Sequence, residues 1–121
     1  MMRINTTIYL FNIVQVQDSN TGERVKTIES VVRVQGSVGP TGSSTYWQAQ
    51  AANVQLRGTI QIQNRVYKKQ KYIYFKENGQ GQVYSCNSTA KAEDEHLIKI
   101  NYEDIKEEGI KELIEDAIQG L

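Results

Sequence analysis

Residues 54–63, VQLRGTIQIQ, alternate without a break between apolar and polar side chains. Val54, Leu56, Gly58, Ile60 and Ile62 fall on one side, and Gln55, Arg57, Thr59, Gln61 and Gln63 on the other. Successive side chains of a strand point to opposite faces, so this run is a strand with one face on a core and one in water. Gly58 lies on the inward phase, where small barrels use glycine to turn a corner or seat a bulge. A chain of 121 residues supports one domain with one modest core, which buries about 65% of its unfolded surface.

Other strand signals flank this one. Residues 3–17, RINTTIYLFNIVQVQ, carry Ile8, Leu10, Val14 and Val16 on one phase and Tyr9, Phe11 and Ile13 on the other. Two apolar faces predict a strand covered on both sides, or one with a bulge near Asn12. A turn cluster, Asp18 to Gly22, leads to a second strand over 24–34, with Ile28, Val32 and Val34 in phase. Tyr72-Ile-Tyr-Phe75 is a further strand, and Asn78-Gly79 is a strong hairpin signal into the return strand Val83–Cys86. Asn87–Glu95 reads as a polar connection, and His96–Tyr102 as a last strand. The expected fold is mainly β: a small antiparallel β-barrel of about six strands, with a long glycine-rich loop and a C-terminal amphipathic α-helix.

That loop is Gln35–Ser44, QGSVGPTGSS, with three glycines, three serines and the only proline. The composition offers no apolar face to bury, so order here is expected from a partner. A loop of this length inside a compact domain is more often functional than filler. It runs into Thr45–Asn53, where Tyr46, Trp47 and three alanines suit either a short helical turn or an extended segment. Trp47 on this reading plugs one end of the barrel. Domain boundaries follow: 1–102 for the barrel, with 35–53 as the mobile loop and its anchor, and 103–121 for the helix. In the helix, Ile110, Leu113, Ile114, Ala117, Ile118 and Leu121 share a face. Asn101 is the expected N-cap, with Glu103, Asp104, Glu107 and Glu108 near the positive end. Gly109 marks a kink or a second start.

Charge is sorted along a chain whose formal total is zero. Residues 1–92 hold eleven Lys/Arg against Asp18, Glu23, Glu29 and Glu77, whereas residues 93–121 hold ten acids against three lysines. Such sorting means either packing of unlike surfaces, a face turned to a polyanion, or a solvated helix face. No basic start leads into an apolar stretch, so no signal peptide or membrane span is expected. Cys86 is the only cysteine, which excludes an intrachain disulfide and leaves the sequons at Asn5 and Asn87 accidental. Synthesis in the cytoplasm is the simplest conclusion.

Catalytic chemistry finds little to work with. His96 stands near Asp94 and Glu95 but lacks a serine or cysteine at motif spacing, and no HExxH, CxxC or paired His/Cys spacing exists. Gly79-Gln-Gly81 precedes a strand, not the helix that a phosphate-binding glycine motif needs. Neither enzyme activity, nor a cofactor, nor a metal site is expected. Nucleic acid is the stronger alternative. Lys68, Lys69, Lys71 and Lys76 interleave with Tyr67, Tyr72, Tyr74 and Phe75, the mix with which an OB-like barrel stacks single-stranded bases and neutralises phosphates.

The order of these parts resembles the phage head-completion proteins, also called head-closure, stopper, or head–tail joining and adaptor proteins, of long-tailed phages and prophages of Gram-positive bacteria. The positions that carry the resemblance are Tyr46, Trp47, Gln48 and Ala49; Ile60 and Ile62; Tyr67; Gly81 and Tyr84; and Leu97, Ile98 and Ile100. They span roughly residues 3–102. The Asn-Gly-Gln-Gly-Gln hairpin is longer than that family's turn, and the acidic helix is an addition to its barrel. The resemblance implies a homo-oligomeric ring beneath the portal and its adaptor, monomeric until assembly. The ring would close the DNA-filled head and offer a docking surface to a tail-completion or tail-tube protein. It implies a channel or plug loop at Gly36, Ser37, Val38, Gly39, Pro40, Thr41, Gly42 and Ser43, anchored by Tyr46, Trp47 and Gln48. Non-specific contact with packaged DNA, by Arg65, Lys68, Lys69 and Lys71, would need no membrane and no catalysis. The implied location is the virion's head–tail interface.

Overall fold

The alternating run forms β3 (Leu56–Gln63) and sits between two partners in a sheet that closes on itself. The computed structural model describes residues 3–107 and 109–121. Six strands, β1 (Arg3–Gln17), β2 (Arg24–Gly39), β3, β4 (Tyr72–Glu77), β5 (Gln80–Lys91) and β6 (Leu97–Asp104), make an antiparallel barrel in the order β1-β2-β3-β6-β5-β4. The seam between β1 and β4 closes through Tyr9–Phe11 against Tyr72–Tyr74. Closure removes the sheet edges that an open six-stranded sheet would expose.

Inward phases fill the barrel. Ile8, Leu10, Ile60, Ile62, Ile73, Phe75 and Ile100 are buried there. Phe75, Tyr84 and Tyr102 form an aromatic cluster, with ring centroids 4.6 to 5.6 Å apart. Gly58 makes room for it: a Cβ at this position would collide with the Tyr102 ring and hydroxyl. The β3–β6 register slips beside it, between Leu56 and Gly58. Asn78 and Gly79 both take positive φ, 51° and 81°, which suits a two-residue hairpin turn.

Of the two alternatives for β1, cover on both faces holds for its middle, and the bulge opposite Asn12 lies in β2, at Glu29. The β1–β2 register slips between Asn12 and Ile13, and β1 is buried on both faces from Ile8 to Phe11. Its outer phase carries Phe11, which is buried with Tyr72, Tyr74 and Val83 under helix α2 (Ile110–Gln119). Ile110 and Ile114 provide the helix side of this second core. The helix is therefore part of the barrel's packing, and β4 is buried on both faces.

Several expected boundaries change. Asn101 is not an N-cap; it lies in β6, where its side chain faces Thr59 and Ser88. Glu103 and Asp104 also belong to β6, Glu107 lies in the connection, and Glu108 falls outside the described residues. Helix α2 starts after Gly109, whose φ of 83° suits glycine and breaks the chain direction there. The polar connection is shorter than expected, because Ser88–Lys91 continue β5 by pairing with β6.

The largest correction concerns the loop. Gly36, Ser37, Val38 and Gly39 are not mobile: they extend β2, with Ser37–Gly39 pairing against Thr59–Gln61 of β3. Val38 supplies an apolar anchor and is buried in the barrel. Gly36 is there for space, since a Cβ would lie 2.5 Å from the Gln61 carbonyl oxygen and 2.9 Å from Ile62. Its glycine content reflects close backbone approach as much as freedom. What remains outside regular structure before the next element is Pro40–Gly42.

Candidate assembly surface

The segment after Gly42 is helix α1 (Ser43–Ala51), which resolves the choice between helical and extended. The side chain of Ser43 lies outside the described residues. Tyr46, Ala49 and Gln50 are half-buried, while Trp47, Gln48 and Ala51 face water, the spacing of a helix resting on one side. Gln50 Nε2 donates to the Tyr46 hydroxyl at 3.0 Å. At its end, Ala52 and Val54 donate backbone N–H groups to the Ala49 carbonyl, and Asn53 takes φ 62°, the left-handed stop favoured by Gly and Asn.

The root of α1 is held by a polar relay across three strands. The Thr59 hydroxyl donates to Asn101 Oδ1 at 2.6 Å, and Asn101 Nδ2 donates to the Ser88 hydroxyl at 3.1 Å. The Thr41 hydroxyl lies 3.4 Å from that of Thr59. Thr59 and Asn101 point outward by phase yet are buried, which alternation alone does not reveal.

Trp47 does not plug the barrel. It is 67% exposed, with its ring edge-on to Tyr46 at 5.4 Å. A large indole held on a helix in water is the kind of group that dominates protein–protein interfaces.

Arg65, Lys68, Lys69 and Lys71 are exposed on a 3-10 turn (Asn64–Val66) and the coil after it. Arg65 Nε donates to Gln63 Oε1 at 2.9 Å, and none of the four meets a carboxylate among the described residues. Lys69 takes φ 62°, and the buried Gln70 accepts the Lys68 N–H at 2.8 Å, so the cations stand on a fixed turn. This edge follows the far end of β3 from α1, so roughly 25 Å of strand separates the two. The two groups are not one site.

The aromatics named with these lysines are not a stacking platform. Tyr72, Tyr74 and Phe75 are buried in the two cores, and Tyr67 is half-buried against the barrel interior. Cys86 behaves as an apolar residue, its thiol pushed up to about 12 by burial. His96 is exposed in a turn where its backbone N–H donates to Asp94 Oδ1. Among the described residues no cluster of three metal-ligating side chains occurs, and no helix is long and apolar enough to cross a membrane.

No protein-family model, curated protein or solved structure matches this chain.

Proposed function

We propose that this protein is a structural connector of a phage particle, a barrel that joins others in a ring at the head–tail interface and works without catalysis. The observation that carries the reading is α1, a short helix set between β2 and β3 that holds Trp47 out in water. A fold spends an exposed indole on a partner more readily than on itself. The order of segments along the chain, and a closed antiparallel barrel built from them, support the same reading.

On this reading the plug role passes from Gly36–Gly39, which are sheet, to Pro40–Gly42 and α1. Trp47 and Gln48 face the portal–adaptor or the tail. The basic edge at Arg65, Lys68, Lys69 and Lys71 meets the backbone of packaged DNA, with weak, salt-sensitive and sequence-independent affinity.

An in-frame deletion of the gene in the replicon that carries it tests the proposal. Electron microscopy should then show heads that have lost their DNA beside free, complete tails. Joined and infectious particles after deletion would overturn the reading. So would a gene set among replication functions, or tight single-strand binding by the purified protein at ~0.2 M salt.

A further inference from the structure

β1 and β2 are much longer than the barrel needs. Among the described residues, β4 pairs with β1 only at Tyr9–Phe11, and β3 pairs with β2 only at Ser37–Gly39. Beyond them, Asn12–Gln17 and Arg24–Ser30 pair only with each other, as a two-stranded ribbon that leaves the barrel. Its base packs through Ile13 and Ile28 against the second core, and the rest has one free edge along each strand.

The ribbon has two unlike faces. Val14, Thr27, Val16 and Val25 lie on one, with Val16 43% and Val25 40% exposed; Gln15, Lys26, Gln17 and Arg24 lie on the other. A lone two-stranded ribbon is marginal in water, and natural edges are usually blunted by Pro, Lys or a covering element. The β1 edge, Asn12-Ile-Val-Gln-Val-Gln17, contains no charge and no proline. The bulge at its base belongs to the partner strand, where Glu29 stands out of register opposite the Asn12–Ile13 step.

We propose that the ribbon joins copies of this chain edge to edge, the β1 edge of one copy pairing antiparallel with the β2 edge of the next. The occupant is a second copy because the ribbon itself supplies both halves of the contact. Its two edges lie on opposite sides, run in opposite directions and match over Ile13–Gln17 and Arg24–Ile28, so the join is heterologous and can close into a ring. Face and charge agree with it. Set level, Val14 and Val16 meet Val25 and Thr27 of the next copy, while the neutral Gln15 and Gln17 meet Lys26 and Arg24 with no like charges opposed. Each copy then adds two strands to one continuous band, apolar on one side and polar on the other. This contact rests on the ring reading above and names the surface that would build it.

Cysteine pairing tests it. In a Cys86→Ala background, a Gln15→Cys chain is co-produced with a Lys26→Cys chain, or with an Arg24→Cys chain to allow a shift of two residues, in cells that are assembling particles, and oxidised there. Opposed strand residues lie within disulfide reach. The expected product is the mixed disulfide dimer, well above either homodimer. Homodimers alone would mean a two-fold contact, and no disulfide species would mean a free ribbon; either result overturns the proposal. A second chain, with residues 14–27 replaced by Asn-Gly between Ile13 and Ile28, should keep its barrel and lose self-assembly. If that chain still joins heads to tails, the ribbon contact fails while the connector reading stands. A mixed disulfide with no phenotype on gene deletion would instead uphold the ribbon contact and overturn the connector reading.

Discussion

Gly36 shows how one residue can be misread from composition. In a stretch of glycines and serines it resembles slack chain, yet its hydrogen faces the Gln61 carbonyl and the Ile8 and Ile62 side chains. Gly36→Ala should destabilise the protein by about 2 kcal/mol, because the β2–β3 seam must open to take the methyl group. Denaturant unfolding measures this directly; a change near zero would return the residue to a loop. Half-buried ionisable groups make a second residue-scale prediction. Burial, and for Tyr84 its donated hydrogen bond to Glu77 as well, raises Cys86 from 9.0 and Tyr84 from 10.0, each to about 12. Folding therefore holds their protons where the unfolded chain would release them. Their contribution is intact below pH 9 and is lost progressively as pH rises towards 12. The melting temperature should be level through neutral pH and fall above it, and Cys86→Ala should move the start of that fall towards 10, the ordinary value for Tyr84. Melting curves from neutral pH to about pH 11 check both.

Among the elements, α2 was readable as an amphipathic helix from Ile110 onward, but its seat was not. The seat is the outer phase of β1 and β4, where Tyr72 and Tyr74 look like exposed aromatics beside lysines until the helix is laid over them and Phe11. Ile114→Ala should cost about 3 kcal/mol, since a fully buried side chain leaves a cavity between helix and sheet. A loss below ~0.5 kcal/mol would mean that α2 is a loose addition. Strand existence was legible wherever alternation ran cleanly, as in β3, and in the Asn78-Gly79 turn. Strand ends were not, because β2 and β5 are prolonged by pairing with distant strands, a tertiary effect that local composition opposes. The candidate surface was half legible. The resemblance marks Tyr46, Trp47 and Gln48, but the exposure of Trp47 depends on which helix face meets β3. The Thr59–Asn101–Ser88 relay links three strands and leaves no local signal.

For the whole molecule, Trp47 separates stability from function. Trp47→Ala should change unfolding stability by less than ~0.5 kcal/mol, since the side chain is mostly in water. The same substitution should reduce joining of heads to tails to a small fraction of the wild-type yield, as counted by electron microscopy. A large stability loss would instead make Trp47 a structural residue. The proposed connector role rests on unlike charges in the body and the tail region, a closed barrel extended by a two-stranded ribbon, and an aromatic helix on its flank. The most direct test is a cryo-electron microscopy reconstruction of the head–tail junction in particles from the replicon that carries the gene. The account predicts a closed ring of this barrel between head vertex and tail, with neighbouring β1–β2 ribbons paired and Trp47 buried against an adjoining protein. Particles whose junction contains no copy of this chain would contradict it.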